Sequence, residues 1–252
     1  MASSRHEPRA SPRGMSPASR AADRVGAAGR AASTGLARLA DLALPPSCVG
    51  CEAEGSALCA ACEEGLQGRR GVAPGTPVGM PSHVPLPLVA HEWCVAYAGI
   101  GRPAIHALKY GGERRLAEPL GRAMARRWSD AGCSGDLLVP VPVHASRRRE
   151  RGYDQAELLA VVAGRQLGLP VARALERRRA TARQAELDRS ARARNLRDAF
   201  GLRGGTGAAV RDRWVILVDD VMTTGATLSE AAAPLLRAGA IAVSALTLAR
   251  ER

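Results

Sequence analysis

Aromatic residues are scarce in this chain of 252 residues: one Phe, three Tyr and three Trp make up 3% of it. So few rings provide no repeated aromatic ladder on which the bases of a nucleic-acid strand could stack. Lysine is rarer still, since Lys109 is the only one among 36 basic residues. No run of about 18 apolar residues occurs, which excludes an apolar transmembrane helix. The basic N-terminal stretch has no apolar segment of the kind a secretory signal needs, so the expected compartment is the cytoplasm. Acidic residues are outnumbered, 24 against 36, and the net charge of +12 calls for anionic partners: nucleic acid, phosphorylated metabolites or an acidic protein. The abundance of Arg and Ala reads as coding composition, so Arg content by itself says little about DNA. The single Lys against that background stands out.

Composition divides the chain. Residues 1–34 are rich in Ala, Arg, Ser, Pro and Gly without apolar periodicity, and seven Arg through Arg38 face only Glu7 and Asp23. They read as a basic tail unable to offset the entropy of ordering. Residues 35–70 hold two cysteine pairs, and residues 71–90 form a Pro/Gly-rich linker. Across residues 91–252 apolar segments with helical spacing, near 102–109, 114–128, 153–167 and 226–238, alternate with short apolar runs at Leu137–Val139, Trp214–Val218 and Ile241–Leu248. Such runs are buried parallel strands, and the alternation predicts an α/β fold with a doubly wound, mainly parallel sheet. Ligands of that architecture bind beyond the carboxyl ends of the strands.

The most particular segment is Val215 to Leu228. An apolar strand ends in Asp219 and Asp220, and Met222-Thr223-Thr224-Gly225-Ala226-Thr227 opens a helix. Backbone N–H groups at such a turn, with hydroxyls around them and the helix dipole behind, form a cup for an anion. Two acids beside it would repel a bare phosphate, unless the ligand offers hydroxyls or brings Mg²⁺. A sugar phosphate with vicinal hydroxyls meets both conditions. An ordinary capped helix after a buried strand would need far less than this pattern.

Cys48-x-x-Cys51 and Cys59-x-x-Cys62 place four thiols within fifteen residues, the spacing of a closed tetrahedral Zn²⁺ site of structural type. A redox dithiol would need one pair, in a thioredoxin-like context that neither pair has. Cys94 and Cys133 are singletons. Arg147, Arg148, Arg149 and Arg151 follow the run Val139-Pro140-Val141-Pro142-Val143 and end at Gly152. Arg forks bind phosphate oxygens in a bidentate way, although a solvated charge run would look the same. Lys109-Tyr110-Gly111-Gly112 closes a helical run with a glycine stop. Trp93, Trp128 and Trp214 border apolar segments as packing residues, and the five histidines have no ligand-like spacing to acids or thiols.

Val-Asp-Asp-Val-x-Thr-Thr-Gly-x-Thr resembles the phosphoribosyl pyrophosphate (PRPP) signature of type I phosphoribosyltransferases. With Val-Pro-Val-Pro-Val, the Arg147–Gln155 run, Thr181-x-x-Gln184, Arg192 and Asn195, the chain resembles the ComF family over residues 42–250. Members join a cysteine-rich zinc module to such a domain and are associated with natural transformation. The resemblance implies that Asp219 and Asp220 bind the ribose hydroxyls, and that Thr223, Thr224, Gly225, Ala226 and Thr227 hold the 5′-phosphate. Arg147, Arg149, Arg151 and Gly152 then face pyrophosphate. Lys109, Arg151, Gln184, Arg192 and Asn195 become candidates for catalysis, with residues 177–200 closing as a lid. It further implies Mg²⁺ with PRPP, structural Zn²⁺ on the four cysteines, an unidentified acceptor, and partners in DNA uptake, either an ATPase/helicase or single-stranded DNA. Enzyme and non-catalytic PRPP sensor or scaffold both remain open on these grounds. Asp154 departs from the pattern, where Asn is more usual, and Tyr153-Asp154-Gln155 read as helix-starting positions.

Overall fold

A computed structural model describes residues 45–73, 85–178 and 199–251. The chain divides into two units, Met1–Pro46 and Ser47–Arg252, and the second contains every strand and helix among the described residues. The basic tail, Thr181, Gln184, Arg192 and Asn195 lie outside the described residues.

Four strands, β1 (His91–Ala96), β2 (Leu137–Pro140), β5 (Trp214–Met222) and β6 (Ala242–Arg250), form one parallel sheet in the order β1-β6-β5-β2. The doubly wound α/β architecture expected from the alternation is therefore present. β3 (Leu175–Arg177) and β4 (Phe200–Leu202) pair antiparallel as a separate two-stranded sheet. The helices are α1 (Ala60–Gly65), α2 (Gly101–Tyr110), α3 (Ala117–Asp130), α4 (Ala145–Arg151), α5 (Gln155–Leu167), α6 (Gly207–Val210) and α7 (Ala226–Arg237).

The apolar run of β5 explains the layering. Successive strand side chains point to opposite faces, and both faces of β5 are buried. Ile216 and Val218 join Leu108, Leu120 and Leu159 from α2, α3 and α5. Val215 and Leu217 join Leu228, Ala231 and Leu235 of α7 on the other face, with Leu175 and Phe200 of the small sheet. Burial on two sides is why the strand reads as continuous hydrophobicity rather than alternation.

β2 ends at Pro140, as the two prolines of the Val139–Val143 run require, and Val141 to His144 form a loop. The structure differs from the sequence expectation at two places. β5 does not end at the acids but runs on to Met222, with Asp219 level with Thr247 and Met222 level with Arg250. β1 has no counterpart in the apolar runs of the sequence, because His91 and Glu92 stand among its buried positions. Glu92 is tolerated there by the Arg127 guanidinium, 2.7 Å away, and Arg127 also donates to the carbonyls of Arg69 (2.8 Å) and Val72 (2.9 Å). Arg69 in turn lies over the Trp93 ring at 3.6 Å. These contacts fasten the end of the cysteine segment to β1 and α3.

Candidate functional site

The carboxyl end of β5 carries Asp219 and Asp220 at adjacent positions, so their side chains leave opposite faces of the sheet. Asp220 is buried and meets Lys109 at the end of α2, Nζ to Oδ1 2.8 Å. Burial would lower the Lys109 pKa, but the attraction of Asp220 and then Asp219 outweighs it and holds the ammonium above the usual lysine range. Among the described residues Asp219 has no such cation in contact, and it accepts from the backbone N–H of Asp220 at 2.8 Å. Desolvation and the neighbouring Asp220 charge push its carboxyl up, to about 8. The lone lysine of the chain thus pairs directly with Asp220 and acts on Asp219 only from a distance.

Beyond Met222 the chain turns through Thr223, Thr224 and Gly225 into α7. Gly225 is its N-cap with φ +80°, a left-handed conformation that disfavours any side chain. A Cβ at Gly225 would also collide with the Pro85 ring. Thr223 and Thr224 are exposed, and the Thr224 hydroxyl sits 3.4 Å from the N–H of Ala226. Residues Thr223 to Thr227 are small and lead into a twelve-residue helix.

The arginines of α4 do not converge on one point. Arg148 faces Glu157 at 3.6 Å. Arg177 feels burial first, then the attraction of Asp219 and the repulsion of Arg147, with its pKa lowered as the net result. Arg151 instead lies over the Tyr110 ring at 4.9 Å, next to Lys109. Its Nη1 is buried with no hydrogen-bond partner among the described residues. Gly152 caps α4 in the left-handed region, and its carbonyl accepts from Arg114 at 3.3 Å. A cavity of about 180 Å³ opens beside Pro140, Val143, Asp154 and Arg177.

Asp154 explains its own departure from Asn. Oδ1 accepts from the N–H groups of Ala156 (3.1 Å) and Glu157 (3.4 Å) as the N-cap of α5, while Oδ2 accepts from Val143 N–H at 2.9 Å. Both oxygens must accept, which a carboxylate does and an amide cannot. Sequence reasoning missed Arg177, Tyr110 and this second bond of Asp154. Only a tyrosine beside the lone lysine offered a signal.

At the other end of the chain, the sulfurs of Cys48, Cys51, Cys59 and Cys62 all lie within 4.8 Å of one another, so they could hold one metal ion. Backbone N–H groups of Gly50 and Cys59 point at the Cys48 sulfur, at 3.4 and 3.3 Å. Although burial opposes it, these donors bring the Cys48 thiol down to about 6, whereas the neighbouring sulfurs push Cys62 up to about 12. Four thiols that cannot all ionise together are a donor set that a soft-tolerant dication such as Zn²⁺ relieves. Gly50 is required by space: a Cβ there would lie 2.7 Å from the Cys62 sulfur.

No model of a known protein family matches the chain. DNA utilization protein YhgH of Escherichia coli K12 is 38% identical over 161 residues, covering 61% of this chain and 69% of the relative. Competence protein F of Haemophilus influenzae is 36% identical over 116 residues, 46% of this chain and 50% of that protein. Competence protein ComFC of Bacillus subtilis is 35% identical over 117 residues, 46% and 45% respectively. The chain belongs to the ComF family. One solved structure, an allosteric regulatory enzyme of purine biosynthesis, matches at 17% identity over 52% of this ComF chain and 26% of its own, with a TM-score of 0.37. Among the described residues, no helix is long and apolar enough to cross a membrane.

Proposed function

We propose that this ComF protein binds PRPP and transfers its phosphoribosyl group to an acceptor, displacing pyrophosphate. The observation that carries this reading is the pair Asp219–Asp220 at the carboxyl end of β5, with Lys109 on one acid and the Gly225-capped turn directly after the strand. The acids accept hydrogen bonds from the ribose 2′ and 3′ hydroxyls. The N–H groups and hydroxyls of Thr223 to Thr227 hold the 5′-phosphate. The Arg147–Gly152 turn supplies cations for pyrophosphate, and Gln184, Arg192 and Asn195, with Thr181, belong to a segment that closes over the bound substrate. Asp219 and Asp220 leave opposite faces of the strand and do not form a chelate. The residues therefore fit Mg²⁺ as an ion carried in on phosphate oxygens, where it would neutralise charge on the leaving group. Zn²⁺ on the four cysteines has a structural role. The names of the relatives support a task connected with DNA uptake or utilization.

Calorimetric titration with PRPP and Mg²⁺ tests the site, comparing the wild type with an Asp219→Asn/Asp220→Asn variant. Binding in the wild type that the variant loses is expected. Absence of binding in both overturns the reading. Turnover is tested separately: Gln184→Ala and Arg192→Ala should keep PRPP affinity and lose pyrophosphate release, and full activity in both would remove the lid from the mechanism.

A further inference from the structure

Lys109 sits in the last turn of α2, where a helix is least able to hold itself, because its final four carbonyls have no N–H of the helix to receive. The carbonyl of Ala107 receives the N–H groups of Gly111 at 2.9 Å and Glu113 at 3.3 Å from the loop that follows. That of Leu108 receives the hydroxyl of Tyr153, a buried residue in the turn between α4 and α5. On the other side of Lys109, the Tyr110 ring lies under the Arg151 guanidinium at 4.9 Å. Both sequence neighbours of Lys109 are thus held by residues of one distant turn.

That turn is itself fastened. Arg114 donates to the Gly152 carbonyl at 3.3 Å and lies over the Tyr153 ring at 4.6 Å. Asp154, the next residue, caps α5 and accepts from the N–H of Val143. A buried phenol needs a partner for its O–H, and many carbonyls would serve. The one it has belongs to the residue before Lys109, whose Nζ is 2.8 Å from Asp220. A lysine side chain loses rotamer freedom in keeping a single contact. A backbone fixed on both sides leaves it fewer arrangements in which the contact is broken.

We propose that Tyr153 is a positioning residue of the candidate site: its hydroxyl, acting through the Leu108 carbonyl, keeps Lys109 on Asp220. The turn that ends the arginine run and the acid pair of β5 are then joined through the last turn of α2. Without the hydroxyl that turn frays, the ammonium leaves Asp220 for part of the time, and the carboxylate meets its ligand in a less defined position. The effect on ligand binding rests on the PRPP reading; the placement of Lys109 does not.

The only lysine of the chain is its own probe. Its side chain is 20% exposed, so an amine-acetylating reagent reaches it, while the ion pair slows the reaction by disfavouring the free amine. The rate of Lys109 acetylation in the full-length protein is read by mass spectrometry of the peptide that bears it. Tyr153→Phe should acetylate about fivefold faster than wild type, the equivalent of one lost hydrogen bond. In an Asp220→Asn background, where the pair is already gone, the same substitution should add little. An unchanged rate overturns the proposal, as does an equal gain in the Asp220→Asn background. The Phe ring remains beneath Arg114, and a melting curve checks that the variant is folded. If it is not, the exposed Arg114, which clamps the same ring, supplies the second variant: Arg114→Ala must then speed acetylation, and an unchanged rate overturns the proposal. Calorimetry with PRPP separates the two readings. Tyr153→Phe should bind PRPP more weakly by a similar factor, and equal affinity would show that the hydroxyl is not felt at the site and overturn its positioning role. A Tyr153-dependent acetylation rate in a protein that binds no PRPP would sink the PRPP reading and leave the placement of Lys109 standing.

Discussion

Asp219 and Asp220 are the same residue one position apart, and their surroundings make them chemically different. Asp220 has the Lys109 ammonium at 2.8 Å. Asp219 has lost water and gained a like charge, and its carboxyl moves from the ordinary 3.8 to about 8. The folded ligand-free protein therefore binds a proton that the unfolded chain has released. Its stability is expected to fall as pH rises through that window, by at most about 1.4 kcal/mol per pH unit. Urea unfolding across the window checks this. Asp219→Asn should flatten the slope, and an unchanged slope would assign the titration to another group. Calorimetry has a matching signature: a ligand that needs Asp219 ionised must expel the proton, so its heat of binding should vary with the buffer's own ionisation enthalpy.

At the scale of elements, α5 shows how a local rule and a tertiary demand meet in one side chain. Asp154 satisfies two N–H groups at the start of the helix and also the N–H of Val143 in the loop before α4. Asp154→Asn turns an amide NH₂ toward one of these donors and leaves it unsatisfied. A loss of about 2 kcal/mol in chemical denaturation is expected, and an unchanged midpoint would show that the second bond adds nothing. The capping position itself was legible, since an acid ahead of Gln155-Ala156-Glu157-Leu158-Leu159 is a familiar start signal. The partner in the Val143 loop was not, because it is eleven residues away and only folding brings it there. β1 was hidden for a similar reason: buried His91 and Glu92 break any strand pattern, and Arg127 makes the burial tolerable.

For the whole molecule, the cysteine cluster is part of the main core. Cys48, Leu58 and Leu66 share one hydrophobic cluster with Leu108, Leu120 and Leu246. Glu63 of α1 also receives Arg122 of α3 at 3.0 Å. A metal held by the four thiols would therefore stabilise the α/β domain as well as its own turns. Stripping Zn²⁺ with a chelator should lower the melting temperature of a single cooperative transition. A loss of about 4 kcal/mol corresponds to roughly 10 °C at this chain size. Scanning calorimetry, with metal content measured in parallel, reads the result. A melting curve indifferent to the metal would show that the cluster folds as four free thiols.

The sequence by itself determined what short-range order can encode: the two-sided burial of β5, the acid pair and glycine turn after it, the paired cysteines and the alternation of strands and helices. Each depends on neighbours a few residues apart. The tertiary structure alone decided which acid Lys109 would neutralise, that Arg148 would face Glu157 while Arg151 lay over Tyr110, and that Tyr110 would stay outside while Trp93, Trp128, Tyr153 and Phe200 went in. Those outcomes follow from the pleat, which sends adjacent side chains to opposite faces, and from contacts between segments far apart in the chain.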